Sequence, residues 1–279
     1  MISMVNNHES RPADDRKESF KILFIGDIVA RIGCDATKKV LPQVKREYGV
    51  DFTIANGEHL SDRVGVRVET VEEMHQAGID FFTTGNHVWR KKQFAEHLEK
   101  IQMPVIRPAN YPAGAPGEGY RIVDTAKGRL LIINILGKEN INANLTSPFE
   151  KVDQILAEAK GYKYSFVDFH AEMSSEKVAL GRYLDGRVSA VVGTHIHVPT
   201  ADARVLKGGT AVVTDVGFVG PMESILGVKE EIIFDVFLTG LPQTFEVAEG
   251  TCVFNAVVID LEDSGKAKSI ERVDRIVEM

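Results

Sequence analysis

The stretch SAVVGTHIHVPT, residues 189–200, runs from an apolar segment directly into two histidines that are one residue apart. The apolar part shows no polar alternation, which is typical of a strand buried on both faces in a sheet covered by helices. Two histidines at i and i+2 of an extended backbone point to the same side, which suits joint metal binding. By itself the pattern leaves two interpretations open, a pair of strand-end surface residues or part of a site.

Similar short apolar runs recur along the chain, and each is closed by Gly, Asn or Asp. Helical patterns separate the earlier runs, and this alternation predicts an α/β fold with a mostly parallel sheet. Two other stretches, 120–137 and 251–277, predict antiparallel hairpins added to that core. The apolar runs lie at 21–27, 51–58, 80–86, 103–110, 164–170, 188–195 and 210–217, and the helical patterns at 35–49, 68–78, 91–101 and 148–161.

The composition is that of an ordinary globular protein, with 44% hydrophobic and 26% charged residues in a chain of 279. The net charge of −7 argues against stable binding to duplex DNA, which needs a basic face. No apolar run approaches the ~20 residues that span a membrane, and the two cysteines are too few for a disulfide framework. We therefore expect a cytoplasmic protein with a disordered N-terminal extension over 1–19 and a single domain over 20–279. Its oligomeric state is left open, a homo-oligomer included.

Polar side chains follow five of the apolar runs. Because the carboxyl ends of parallel strands meet at one edge of a sheet, we expect these side chains to converge on a single crevice. A lone histidine at such a position is more often a surface residue than a ligand, so the prediction depends on their conjunction. The residues are Asp27, Glu58, His59, Asn86, His87, His170, His195 and His197.

The set offers carboxylate, carboxamide and imidazole ligands and no thiolate. Imidazole argues against Ca²⁺ or Mg²⁺, and mixed nitrogen and oxygen ligation suits iron, manganese or zinc. A single octahedral ion would be saturated, whereas two ions that share Glu58 accommodate the set. Two ions about 3.5–4 Å apart generate a bridging hydroxide near neutral pH and hold phosphate oxygens for in-line attack. His87 is adjacent to a ligand, and its better role is proton donor to the leaving group.

Five of these segments, in this order, resemble the motifs of calcineurin-like metallophosphoesterases and, more closely, of the bacterial YmdB-like branch. The resemblance extends from about Lys21 to the C-terminus. It implies a sandwich with mostly parallel central sheets, added antiparallel hairpins and flanking helices. It also implies a di-iron or iron/manganese phosphodiesterase whose typical substrates are 2′,3′-cyclic nucleotides. The segments are GD (26–27), NGE (56–58), TTGNHVW (83–89), DFHAE (168–172) and VVGTHIHVPT (191–200), supported by RPANYP (107–112) and VTDVGFVGP (213–221).

The resemblance also implies a role for each matching residue. Asp27, Glu58 and His197 would hold one ion, and Glu58, Asn86, His170 and His195 the other, with His87 as proton donor. The residues that bind the rest of a small nucleotide substrate are not identified by any motif.

The sequence departs from the branch directly after the bridging glutamate, where the branch has asparagine and this chain has His59. Imidazole can still ligate a metal, so His59 is kept in the ligand set. The departure raises an alternative, a metal- or nucleotide-binding regulator of the same fold with weak catalysis. A third interpretation, dinucleotide binding, is disfavoured because GDIVARIG (26–33) lacks the G-x-G-x-x-G spacing.

Two further residues have weaker claims to a role. Asp215 either supports a ligand histidine or is a strand-end turn residue, and we favour the turn. Arg107 either contacts phosphate or is a surface residue before Pro108, and we favour the surface.

Overall fold

A computed structural model describes residues 19–61, 64–100 and 103–279. The extension expected over 1–19 lies, except for Ser19, outside the described residues. None of the described helices has the length and apolar character needed to cross a membrane. In chain order the elements are β1 (Phe20–Ile25), β2 (Asp27–Ile28), α1 (Ala30–Tyr48), β3 (Phe52–Asn56), α2 (Val68–Gln76), β4 (Phe81–Thr83), a 3-10 turn (Val88–Arg90), α3 (Lys92–Lys100), β5 (Tyr120–Thr125), β6 (Gly128–Leu136), α4 (Pro148–Glu158), β7 (Tyr164–His170), α5 (Ser174–Tyr183), β8 (Ala190–Thr194), β9 (Arg204–Val205), β10 (Ala211–Val213), β11 (Phe218–Pro221), α6 (Glu230–Thr239), β12 (Cys252–Leu261) and β13 (Ala267–Val277).

The strands form two sheets that pack face to face. The first has the order β2-β11-β12-β1-β3-β4, with β13 paired to β12, and the second has the order β5-β6-β7-β8-β10-β9. Strands β1, β3 and β4 are parallel neighbours, as are β6, β7, β8 and β10. The hairpins expected over 120–137 and 251–277 are β5–β6 and β12–β13, both antiparallel. The predicted α/β sandwich with a parallel core and added hairpins is confirmed.

Alternate residues of β1 show how the layers are built. Ile22 and Phe24 point into the core between the sheets, where the ring of Phe24 lies 5.0 Å from that of Phe166 on β7. Leu23 and Ile25 point the other way and pack against the helices on the outer face of the first sheet. Helices α4 and α5 cover the outer face of the second sheet. Burial on both faces explains why these strands are continuous apolar runs.

Two features of the fold differ from the sequence prediction. The prediction of a strand over 103–110 is wrong, because the segment forms only an isolated bridge between Val105 and Phe82. Pro104 and Pro108 have no backbone N–H, so a regular ladder cannot continue through them. Helices α5 and α6 were not predicted, and α6 is apolar along most of its length rather than amphipathic.

Candidate metal centre

The predicted site residues converge at one edge of the sandwich, where central strands of both sheets end. This convergence of five strand ends agrees with the expectation from parallel topology. Asp27 begins β2 just after β1, Glu58 and His59 follow β3, Asn86 and His87 follow β4, His170 is the last residue of β7, and His195 and His197 follow β8.

These residues include two groups, each with three potential ligand atoms that lie within 4.8 Å of one another. The first group, as we call it below, is Asp27, His59 and His197, and the second group is Glu58, His170 and His195. Each group combines side chains from both sheets, so an ion in either would join the two sheets.

Glu58 lies between the two groups. Its Oε1 is 3.3 Å from Nε2 of His59, and its Oε2 is 3.1 Å from Nε2 of His170. The carboxylate is completely buried. This is the position that a carboxylate shared by two ions must have.

Several buried polar atoms of the site have no hydrogen-bond partner within the described part of the chain. Nearly all such atoms in native proteins are partnered, and a buried carboxylate without a partner is strongly destabilising. A cation is what would satisfy acceptor atoms of this kind, so the residues present fit a metal centre. The atoms are Oδ1 of Asp27, Oε1 and Oε2 of Glu58, Oδ1 of Asn86 and Nε2 of His197.

At Gly85, just after β4, the backbone passes close to the side chains of Glu58 and His170. A Cβ atom at this position would lie 1.6 Å from Oε2 of Glu58 and 2.3 Å from Nε2 of His170. The site therefore requires glycine here on steric grounds, independently of backbone conformation.

His170 is oriented by a chain of buried hydrogen bonds. Burial raises the pKa of Asp168 to about 6, so above that pH it is a carboxylate and only accepts hydrogen bonds. The Thr194 hydroxyl donates to Oδ1 of Asp168 at 2.7 Å, so it must accept from Nδ1–H of His170 at 2.9 Å. Nε2 of His170 is thereby directed at Glu58 and the centre. Asp168, a charged residue inside a buried strand, was a signal that the sequence interpretation missed.

His195 and His197 do not lie on an extended backbone, so that part of the prediction is wrong. Strand β8 ends at Thr194, and both histidines have positive φ, 103° and 59°. Positive φ at two non-glycine residues is unfavourable and persists where the surroundings impose it. The resulting turn sends one imidazole to each group.

Asp215 is what holds this turn, and it is more than the strand-end turn residue we favoured. Its Oδ2 accepts from the N–H of Ile196 at 3.3 Å, and its Oδ1 accepts from that of Gly217 at 2.9 Å. Lys177 from α5 donates to the same carboxylate at 2.6 Å, and both side chains are buried. No sequence pattern singles out Lys177.

Partners outside the ligand set fix the two histidines of the turn. Nε2 of His195 lies 3.0 Å from the carboxylate of Glu172, which leaves Nδ1 turned towards the second group. His197 stacks on Phe218 with an interplanar angle of 4°, and its Nδ1 is 3.4 Å from the carbonyl of Leu226. Carboxylates and carbonyls commonly orient metal-ligating histidines in this way. Glu172 was missed, although its position two residues after His170 in DFHAE offered a signal.

His87 lies at the centre in a geometry suited to proton donation. Its Nε2 is 3.8 Å from Oε1 of Glu58, and Nε of Arg90 donates to its Nδ1 at 3.3 Å. Because Nδ1 accepts, the proton of the neutral imidazole is on Nε2, the nitrogen that faces the centre.

The charges of the site favour cation binding. Burial alone would raise the pKa of Glu58, but the charge and hydrogen bond of His170, together with the charges of His59 and His87, outweigh burial and lower it to about 2. Burial alone would lower the pKa of His170, and the charge of Glu58 raises it to about 9. Burial lowers the pKa of His59 to about 4 and that of His195 to about 3. The centre thus presents a carboxylate at Glu58 and neutral imidazoles at His59 and His195, the protonation states in which these groups ligate metals, whereas His170 carries a proton that a metal ion would displace.

Arg107 is not the surface residue that we favoured from the sequence, because only 7% of it is exposed. Its guanidinium donates to the carbonyls of Pro108, Ala115 and Pro116. It therefore organises the 108–116 loop.

Comparisons with known proteins agree with these features. The family model described as YmdB-like protein matches residues 23–273. A Bacillus subtilis protein named 2′,3′-cyclic-nucleotide 2′-phosphodiesterase is 46% identical over 255 residues, which are 91% of this chain and 96% of the relative.

Two solved structures share the fold over almost the whole chain. A hypothetical protein from Thermus thermophilus has 39% identity and a TM-score of 0.87, covering 92% of this chain and 100% of that one. A Mycoplasma pneumoniae protein described as a novel phosphatase has 30% identity and a TM-score of 0.89, covering 94% and 95%. The family match and these similarities, taken with the residues assembled at the strand ends, show that the chain belongs to the YmdB-like family.

Proposed function

We propose that the chain is a metal-dependent phosphodiesterase that hydrolyses 2′,3′-cyclic nucleotides. The observation that carries the proposal is the pair of ligand groups with Glu58 between them and His87 beside Glu58. The name of the Bacillus subtilis relative supports the substrate class and indicates that the 2′ ester is the bond broken.

Two ions complete the proposed site. We assign Asp27, His59 and His197 to one ion, and Asn86, His170 and His195 to the other, with Glu58 shared. When bound, such ions supply Lewis acidity towards phosphate oxygens and an activated water. Mixed nitrogen and oxygen donors suit iron, manganese or zinc, and the resemblance to the YmdB-like branch favours iron, with manganese as the alternative.

His87 supplies the proton that the reaction consumes at the leaving oxygen. Water adds to phosphorus and releases one proton to solvent, the bond from phosphorus to O2′ breaks, and O2′ leaves with the Nε2 proton of His87. Nδ1 of His87 keeps the hydrogen bond from the Arg90 guanidinium, which balances the charge left on the ring. The products are a 2′-hydroxyl and a 3′-monophosphate, and His87 regains its proton from solvent. Arg90 keeps the required tautomer by donating to Nδ1. A positioned general acid contributes about 10²–10⁴-fold to such a step.

The test combines elemental analysis of anaerobically purified protein with turnover of 2′,3′-cyclic AMP and of 3′,5′-cyclic AMP. We expect about two metal ions per chain, formation of the 3′-monophosphate, and a strong preference for the 2′,3′ ester. His87→Ala should lower kcat by at least about 100-fold. His97→Ala is the matched control, because Nδ1 of this histidine on α3 contacts the Gln93 carbonyl one turn earlier, away from the two ligand groups.

Metal-loaded wild-type protein that turns over neither ester would overturn the proposal. If that protein still bound metal tightly, the alternative would be favoured, a metal- or nucleotide-binding regulatory protein with weak catalytic activity. The scarcity of cysteine supports a cytoplasmic location as part of the same proposal.

A further inference from the structure

Residues 229–246, which we call the 229–246 excursion, leave the body of the protein and return at the same point. The N–H of Lys229 donates to the carbonyl of Glu246 at 3.0 Å, and Val228 pairs with Val247 in an antiparallel bridge. The excursion contains α6 and a segment after it that has no regular secondary structure. It is thus closed at its base by backbone hydrogen bonds.

Helix α6, whose residues are all described, contributes little to the core. Ile233 is the one buried residue of this helix, whereas Phe234 is 50% exposed, Phe237 81% and Leu238 85%. Large apolar side chains clustered on a surface usually mark a binding site. Packing within the fold does not explain why these positions carry aromatic and aliphatic residues.

The excursion forms one wall of the cleft above the metal centre. This cleft has a volume of about 440 Å³, within the range of small-molecule sites. Its floor includes His59, His87, His195 and His197. The side chains that the excursion contributes to it are all apolar: Ile233, Val236, Phe237 and Phe245.

A cleft with proposed metal ligands at its floor and an apolar, aromatic wall fits a ligand that is anionic at one end and flat and aromatic at the other. A nucleotide ester has this character, with its phosphate at the floor and its base at the wall. We propose that Phe237 and Phe245 bind the base of the substrate by stacking. The inference rests on the proposed function and adds the residues that recognise the nucleoside.

Stacking also predicts how selective the site is. Every base has an aromatic face, so stacking discriminates weakly between bases. The excursion, described along its whole length, contributes no hydrogen-bonding side chain to the cleft that could read a base edge. We therefore expect all four 2′,3′-cyclic nucleotides to be accepted, with purines favoured by their larger rings.

A second use of the same surface predicts a different outcome. Phe234, Phe237 and Leu238 follow the i, i+3, i+4 spacing of a stripe on α6 that could contact another copy of the chain. Phe234 belongs to this stripe but does not line the cleft. Substitution of Phe234 therefore separates base binding from self-association.

The experiment compares wild type, Phe237→Ala, Phe245→Ala and Phe234→Ala on 2′,3′-cyclic AMP and on methyl riboside 2′,3′-cyclic phosphate, which has no base. Loss of one stacking ring should raise KM for 2′,3′-cyclic AMP about tenfold. The same variants should leave kcat for 2′,3′-cyclic AMP and both constants for the base-free ester unchanged. Phe234→Ala should behave as wild type on both esters.

Two results would overturn the inference. One is an equal effect of Phe237→Ala on both esters. The other is an equal effect of Phe234→Ala and Phe237→Ala together with a fall in molecular mass by light scattering, which would assign the surface to self-association.

Calorimetric binding of 2′,3′-cyclic AMP to metal-loaded protein separates this inference from the proposed function. If no ester is hydrolysed, the proposed function fails. Weaker binding by Phe237→Ala would still support base stacking, and unchanged binding would overturn it.

Discussion

The first and second groups have the same size and draw on the same two sheets, but they are held in place by different forces. In the second group, His170 is fixed through Thr194 to Asp168, which also accepts hydrogen bonds from Thr83 and Asn56. In the first group, His197 is held by the face of Phe218 and one long hydrogen bond to a backbone carbonyl. Directional bonds fix the angle of an imidazole, whereas a stacked ring leaves it free to slide. The second group is therefore the more preorganised half.

Among the substitutions considered, the largest loss of activity is expected at Gly85, which lies against Glu58, the carboxylate between the two groups. Gly85→Ala would place a methyl group against Glu58 and His170 and force the shared carboxylate to move. Displacement of catalytic groups by about 1 Å lowers turnover by about 100-fold, and we expect at least this loss of kcat. Activity and metal content measure the effect. Gly114→Ala is the control, since a Cβ there meets nothing within 4 Å, and equal activity of the two variants would show that the groups do not meet at Gly85.

A smaller effect is expected from Asp168→Ala, which removes the carboxylate that supports the second group. Hydrogen-bond donors of Thr83, Thr194 and Asn56 would lose their acceptor, which should destabilise the fold by about 3 kcal/mol. Loss of such support lowers metal affinity by about 10-fold or more, and we expect this for one of the two ions only. Thermal unfolding and metal titration by calorimetry measure both quantities.

Asp202→Ala provides the control for Asp168→Ala. Asp202 accepts hydrogen bonds from Thr200 and Thr214 but is not among the ligand groups. The substitution Asp202→Ala should therefore lower the Tm of the protein without changing its affinity for metal. If Asp168→Ala and Asp202→Ala changed metal affinity equally, the claim that Asp168 holds the second group in place would be disproved.

The smallest effect is expected from Phe218→Leu in the first group. The substitution keeps an apolar side chain but removes the stack on His197, and it should reduce stability by about 1 kcal/mol. Metal affinity should fall only a few-fold, because Leu226 still accepts from the imidazole. The control is Phe24→Leu, the same change in the core between the sheets. A larger loss of metal affinity than in Asp168→Ala would reverse the comparison between the groups.

The sheets and the convergence of the site residues could be predicted from sequence because each depends on a local pattern. Continuous apolar runs identified the buried strands, and parallel topology then placed Asp27, Glu58 and His170 at one edge. The turn at His195 could not be predicted, since it depends on Asp215 and Lys177, which approach only after folding. Helix α6 was not predicted because its apolar residues face a cleft and solvent as well as the core, so they do not form the single buried face of an amphipathic helix.

Because the 229–246 excursion is closed at its base, its length and sequence can vary independently of the two sheets, as they do in the loops of antibodies. Its two ends are already joined by Val228 and Val247, so residues can be added or removed between them without shifting the register of any strand. The entropic free-energy cost of closing a loop also rises slowly, by about 0.6 kcal/mol for each doubling of the loop's length. Variation in this one segment can therefore change what the cleft accepts while the metal centre, built on other strands, stays the same.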